Sequence, residues 1–331
     1  MNAAGGMQRR FAAWPTLGAL FALLLATVPW AQAQQRNPLQ TIGETVAERT
    51  SPHYRFERFV VTSSDGDRRW RINLGIPRGP APAAGFPALW MLDGNAALME
   101  FDAPLLEALA GSPQPPLLVF VGYDNALRID SPARTRDYTP LADPDAGDDA
   151  PRGGGADAFL DMLERQVRPE VARRAPLDAH RQTLWGHSLG GLFTLHALYT
   201  RSGAFQTYVP ASPSLWWAQG ALLDGPEQRF VDNNAGHPAR VLLMLGGGER
   251  SPDFSGRDMN NPRVVAHLRR ISGAPPDAAW QLSQRLRQVP GLSVEYHPFP
   301  GLGHGPMLRA SLMRTLHVLA GVPDRSGDRA P

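Results

Sequence analysis

Leu184-Trp185-Gly186-His187-Ser188-Leu189-Gly190-Gly191 decides how the rest of this chain is read. Gly186 to Gly190 spells G-x-S-x-G, and the flanks give the match its weight. Thr183–Trp185 reads as a short strand and Leu189–Thr200 as a helix. A strand that turns sharply into a helix at a serine is the setting of a nucleophile elbow. Gly186 and Gly190 leave room for close backbone packing around a strained residue, and Gly191 lets the helix approach the sheet. Ser188 is then presented at the carboxyl edge of the sheet, where the positive end of the following helix favours developing negative charge. The bland alternative, a serine that only caps the helix, explains neither the glycines nor the strand. His187 cannot serve as the base, because consecutive residues at such a turn point differently; it is expected to pack or hydrogen-bond locally.

Outward from the elbow the chain alternates strands and helices. Phe56–Thr62 and Trp70–Ile76, around the turn Ser64-Asp65-Gly66-Asp67, predict an antiparallel hairpin. Strands are expected at Ala88–Leu92, Leu117–Val121, Thr183–Trp185, Gln206–Pro210, Val241–Leu245 and Ser293–Phe299, several of them continuous apolar runs suited to a sheet covered on both faces. Helices are expected at Ala97–Ala110, Ala158–Ala172, Leu189–Thr200, Pro262–Ile271, Ala278–Arg287 and Pro306–Leu319. This order predicts an α/β-hydrolase fold: a doubly wound, mostly parallel central sheet with an antiparallel start and helices on both faces. Residues 124–156, rich in Pro, Gly and Asp, read as a surface loop near the mouth of the site.

In such a fold an acid and then a histidine follow the serine in chain order. Five histidines lie beyond the elbow helix: His237, His267, His297, His304 and His317. His304 is preferred, because Gly301-Leu302-Gly303-His304-Gly305-Pro306 joins the last strand to the last helix. A loop so rich in glycine can bring an imidazole back over the sheet edge. His297 falls inside a strand, and His267 and His317 inside helices. The acid stays open among Glu249, which leaves a strand through Gly246-Gly247-Gly248, and Asp253 and Asp258; a Ser-His pair with no acid is a further option. The oxyanion donors are expected to be the N–H of Leu189 and one from the loop Met91-Leu92-Asp93-Gly94-Asn95, with Asn95 first and Gly94 as the alternative.

The ends and the composition bound the rest. Arg9 and Arg10, the apolar run from Leu17 to Val28 and Ala31-Gln32-Ala33 predict a cleaved signal peptide over 1–33. An extension over 34–54, a catalytic domain over 55–322 and a tail over 323–331 would follow. The location is then periplasmic or secreted, with no stable membrane insertion after cleavage. Removing the two arginines takes the formal net charge from +2 to zero. All 33 basic residues are Arg, with no basic cluster interleaved with aromatics, so nucleic acid is not an expected partner. The chain has no Cys, which excludes disulfides, a thiol nucleophile and Cys-ligated metal. No metal or organic cofactor is required by this set of residues.

Several stretches together resemble the esterase branch of the α/β-hydrolases, and within it the siderophore (enterobactin-type) trilactone esterases. They are Leu92-Asp93-Gly94-Asn95, Arg134-Thr135-Arg136-Asp137-Tyr138-Thr139-Pro140, Gly153-Gly154-Gly155-Ala156-Asp157-Ala158-Phe159, the elbow, Ala211-Ser212-Pro213-Ser214-Leu215-Trp216-Trp217 and Gly303-His304-Gly305. The resemblance implies ester hydrolysis through an acyl-serine, with Ser188 and His304 at the matching positions. It aligns Glu249 with the family's Gly-x-x-Glu stretch, although glycine replaces the usual intervening residues here. The resemblance to periplasmic members of the siderophore branch also implies that a Ser-His pair can suffice. The partner it implies is a small-molecule ester, a siderophore or its iron complex. Toward a bulky, anionic catecholate, Arg134 and Arg136 in the long loop would offer charged donors, and Trp216 with Trp217 a stacking wall. The competing readings are a general carboxylesterase, a mycolyl-type acyltransferase and a noncatalytic hydrolase-like binding protein.

Overall fold

A computed structural model describes residues 1, 37, 39–140, 153–233, 237–250 and 258–328. The chain divides into a unit of Met1–Asn37 and a unit of Pro38–Pro331. The expected export segment, Met1 apart, lies outside the described residues, as does Asp253.

The larger unit opens with a 3₁₀ turn at Val46–Glu48, capped by Thr45, and continues into β1 (Tyr54–Thr62), β2 (Arg69–Pro77) and β3 (Phe86–Met91). Then come α1 (Gly94–Leu98), α2 (Ala103–Ala110), β4 (Leu117–Tyr123), α3 (Ser131–Tyr138) and α4 (Ala156–Met162). After these follow α5 (Arg168–Arg174), β5 (Leu177–His187), α6 (Leu189–Thr200), β6 (Thr207–Ala211) and α7 (Gly225–Asn233). The chain closes with β7 (Ala239–Gly246), α8 (Pro262–Ile271), α9 (Ala278–Leu286), β8 (Leu292–Phe299) and α10 (Met307–Ala320).

The strands form one sheet in the order β1-β2-β4-β3-β5-β6-β7-β8. The β1–β2 and β2–β4 pairs are antiparallel and every pair from β4 to β8 is parallel. The chain steps from β3 to β4 on one side and returns to β5 on the other. That reversal opens a crevice at the carboxyl ends of the parallel strands, where ligands of open α/β sheets bind.

Alternation along each central strand divides the core between the two faces. Trp90, Leu184, Val241 and Leu243 face the layer containing α3 to α6 and α9, whereas Leu89, Met91, Trp185, Leu242 and Met244 face α1, α2 and α10. Both sets are buried, which is why these strands read as unbroken apolar runs.

Some expected elements differ. The helix expected over Ala97–Ala110 is two helices, because the Asp102 side chain accepts the Leu105 N–H at 2.8 Å and caps a new start. The one expected over Ala158–Ala172 winds through a π turn at Leu163–Val167. Pro169 has no N–H to give the carbonyl four residues back, so the regular ladder cannot continue. Residues 124–156 are not all surface loop: α3 runs through them, started by Asp130, whose carboxylate accepts the Ala133 N–H at 3.0 Å. Tyr138 at its end is fully buried against Tyr123, Phe159 and Phe193. Helix α7 was likewise not expected.

Candidate active site

Five loops leave the carboxyl ends of β3, β5, β6, β7 and β8, and the expected chemistry is distributed over them. Ser188 stands between β5 and α6 with φ 63° and ψ −119°, a conformation a residue with a Cβ rarely adopts. The turn is held from both sides: the Ser188 N–H donates to Ala211 O at 2.9 Å, and Ser188 O accepts from Leu192 N at 3.0 Å and from Ser214 N at 3.1 Å. Gly186 is required here, since a Cβ on it would be driven into the Gly190 backbone.

The loop after β8 brings His304 to the serine. Ser188 Oγ lies 3.0 Å from His304 Nε2, and His304 Nδ1 lies 2.5 Å from Glu249 Oε2. A carboxylate only accepts, so Nδ1 carries the proton and Nε2 is free to accept from the serine hydroxyl. His187, packed 4.7 Å from the His304 ring, has its Nε2 2.9 Å from the His304 carbonyl oxygen and steadies that loop.

Glu249 sits on the 3₁₀ turn Gly247–Arg250 that directly follows β7. Its other oxygen, Oε1, accepts from Ser212 Oγ at 2.5 Å and from the Gly246 N–H at 3.0 Å. Burial raises the Glu249 pKa and is the largest single influence, but the hydrogen bonds and charge of His304, with those from Ser212 and Gly246, outweigh it and leave the carboxyl below its ordinary value. The glycines ahead of it let the two loops meet: the Gly248 N–H donates to Leu302 O at 3.0 Å, and a Cβ on Gly246 would collide with that same carbonyl. Of the other acids considered, Asp258 is exposed and accepts from Asn260 N in its own turn.

The oxyanion candidates occupy the ends of α6 and α1. Leu189 is the first residue of α6, so its N–H has no acceptor within the helix. Asn95 is buried, but its carboxamide nitrogen lies 3.2, 3.3 and 2.9 Å from the carbonyl oxygens of Tyr123, Asn125 and Leu127. The side chain thus ties down the loop after β4, so the expectation of an oxyanion donor at Asn95 falls on its main-chain N–H. Gly94, the alternative, starts α1 and packs on the β4 backbone.

Arg134 differs from the expectation of a substrate-facing cation. Its guanidinium is buried, donating from Nε (2.9 Å) and Nη2 (2.8 Å) to the Asp93 carboxylate and from Nη2 to His187 O at 3.1 Å. The sequence placed it in a polar loop; the helix turns it inward. Trp217 also lies in the core, at 5 % exposure, so it offers no open stacking face, whereas Trp216 is half-buried. Arg136 keeps 44 % of its side chain exposed while its Nε donates to the buried Asp137 at 3.0 Å.

Three residues went unassigned in the sequence: Asp93, Ser212 and Ser214. Asp93 adopts a left-handed backbone (φ 49°) and its N–H donates to Tyr138 Oη at 2.9 Å. Ser214 Oγ lies 3.3 Å from Ser188 Oγ. The Ser-Pro-Ser directly after the apolar strand β6 was the available signal, since that strand pairs with β5 and must end beside the elbow. Among the described residues, no group of three or more His, Asp or Glu gathers as a metal site would require.

The chain matches, over residues 63–301, a family model described as "Putative esterase". It is 32 % identical over 296 residues to the apo-salmochelin esterase of Escherichia coli O6:H1, covering 88 % of this chain and 87 % of that protein. It is 31 % identical over 274 residues to the ferri-bacillibactin esterase BesA of Bacillus subtilis strain 168, covering 78 % and 86 %. Among solved structures, the enterobactin hydrolase IroE in complex with DFP superposes with a TM-score of 0.63 at 32 % identity, covering 83 % of this chain and 99 % of that one.

Proposed function

From the premise that the chain belongs to the esterase family of the α/β-hydrolases and hydrolyses ester bonds, we propose that it is an exported siderophore esterase acting through an acyl-serine at Ser188. The carrying observation is the continuous relay from Ser188 Oγ through the His304 ring to Glu249, with contacts of 3.0 and 2.5 Å.

His304 Nε2 takes the hydroxyl proton as Oγ attacks the ester carbonyl carbon, and the imidazolium so formed is stabilised by the Glu249 carboxylate. The N–H groups of Leu189 and Asn95 receive the oxyanion. His304 then returns the proton to the leaving alkoxide. Water repeats the sequence on the acyl-serine, releasing the carboxylic acid and restoring Oγ–H. Toward an anionic siderophore, exposed Arg136 supplies the charged donor and half-buried Trp216 an aromatic face. Two relatives named for siderophore ester substrates support the substrate class. The pattern of residues 1–33 supports export to the periplasm or beyond.

The test combines fluorophosphonate labelling with mass-spectrometric turnover of a panel containing iron-free and iron-loaded trilactones, aryl esters and feruloyl esters. Modification of Ser188 and preferential trilactone cleavage are expected. An unmodified Ser188 in folded protein overturns the acyl-serine mechanism; a panel without trilactone preference overturns the substrate alone. N-terminal sequencing of the mature protein tests cleavage after Ala33.

A further inference from the structure

We propose that Ser212 is a positioning residue of this site, acting on the serine nucleophile only through Glu249; the inference rests on the acyl-serine reading above.

Three observations carry it. Ser212 is 1 % exposed and directs its Oγ onto Glu249 Oε1 at 2.5 Å, the charge-assisted contact of a hydroxyl on a carboxylate. With the Gly246 N–H on the same oxygen at 3.0 Å, the carboxylate cannot turn without losing both donors, so Oε2 stays aimed at His304 Nδ1. Second, the backbone of Ser212 is left-handed, φ 43°, where glycine or asparagine is the residue of least strain. Its N–H is fixed in that conformation by Met244 O at 2.7 Å. A position whose backbone favours glycine but which carries a hydroxyl retains that hydroxyl against the local preference, and here the hydroxyl reaches the acid of the relay. Third, the strap to which it belongs also meets the nucleophile. Ala211 O accepts from Ser188 N at 2.9 Å, and Ser214 N donates to Ser188 O at 3.1 Å. Residues 211–214 therefore set the position of both ends of the relay, and Ser212 is the member that contacts the acid.

The role separates from a structural one because its two properties oppose each other. Ser212→Gly and Ser212→Ala both remove the hydroxyl, but only glycine also relieves the backbone strain, so Ser212→Gly should be the more stable of the two while both lose catalysis. The experiment compares wild type, Ser212→Gly, Ser212→Ala, Glu249→Ala and the Ser212→Ala/Glu249→Ala double variant, using p-nitrophenyl butyrate turnover, fluorophosphonate labelling rate and thermal midpoint. Expected are a thermal midpoint for Ser212→Gly above that of Ser212→Ala, kcat about tenfold down in both with KM within about twofold, and a parallel drop in labelling rate. In the Glu249→Ala background, Ser212→Ala should cost no further activity. Full activity in Ser212→Gly overturns the proposal, as does an undiminished Ser212→Ala loss without Glu249. Failure of the acyl-serine reading would show separately, as a wild-type protein that fluorophosphonate never labels.

Discussion

Arg134 grips Asp93 in a two-point ion pair, 2.9 Å from Nε and 2.8 Å from Nη2, and with the same Nη2 reaches the carbonyl of His187, the residue before the nucleophile. One guanidinium thus couples α3, the loop after β3 and the elbow. Burial works against the Arg134 charge, but Asp93 more than restores it and holds its pKa above the ordinary value.

Removing that cation should be a stability event first. Arg134→Gln leaves Asp93 buried and unpaired, at a cost of about 3–5 kcal/mol by chemical denaturation. Arg134→Lys should recover part of the loss, since an ammonium is a point charge and cannot reproduce the fork.

Arg136→Gln should show in substrate binding as well as in stability. Its Nε donates to the buried Asp137, which keeps the Trp70 indole N–H at 2.8 Å, so a stability loss of about 1–3 kcal/mol, smaller than that of Arg134→Gln, is expected. If it meets an anionic substrate, KM for an iron-free catecholate trilactone rises while KM for a neutral aryl ester does not. Steady-state kinetics on the two substrates reads the difference.

Glu249→Gln should lower kcat for an aryl ester by about 10²–10⁴-fold, because an amide neither holds Nδ1–H by charge nor stabilises the imidazolium. The size of the loss measures how far this protein relies on three residues instead of two.

Acid should weaken the fold through several groups, Glu249 and His196 among them. Glu249 has a folded pKa below its ordinary 4.5, so its stabilisation is complete above that value and lost as pH falls through the folded pKa. The stability advantage of wild type over Glu249→Gln should therefore shrink below about pH 4.5. His196 is also lowered, by burial that outweighs its contact with Asp157 at 2.8 Å. Its contribution is complete above 6.5 and diminishes as the unfolded chain takes up a proton that the folded one resists. His196→Gln should flatten the fall in stability between about pH 7 and 5, measured by urea unfolding.

Glycine substitutions should separate geometry from composition. Gly186→Ala forces a Cβ into the Gly190 backbone and should cost about 3 kcal/mol or more, read as a lower thermal midpoint. Gly303→Ala, beside His304, meets nothing within 4 Å and should be neutral within about 0.5 kcal/mol.

What the sequence determined by itself is what depends on neighbours along the chain. The alternation of strands and helices, the elbow at Ser188 and the glycine loop presenting His304 are properties of short stretches, and each occupies its expected place in the fold. Burial and long-range reach are not local. Glu249 met His304 only once β7 and β8 lay side by side and the Gly248–Leu302 contact brought their loops together. Arg134 and Trp217, polar-loop and surface residues by their neighbours, were turned inward by a helix and a turn that pack on α6 and the core around it. Ser212 became visible only when β6 ended between the nucleophile and the acid. Its meaning lies in a contact across 37 residues of chain, which no local pattern encodes.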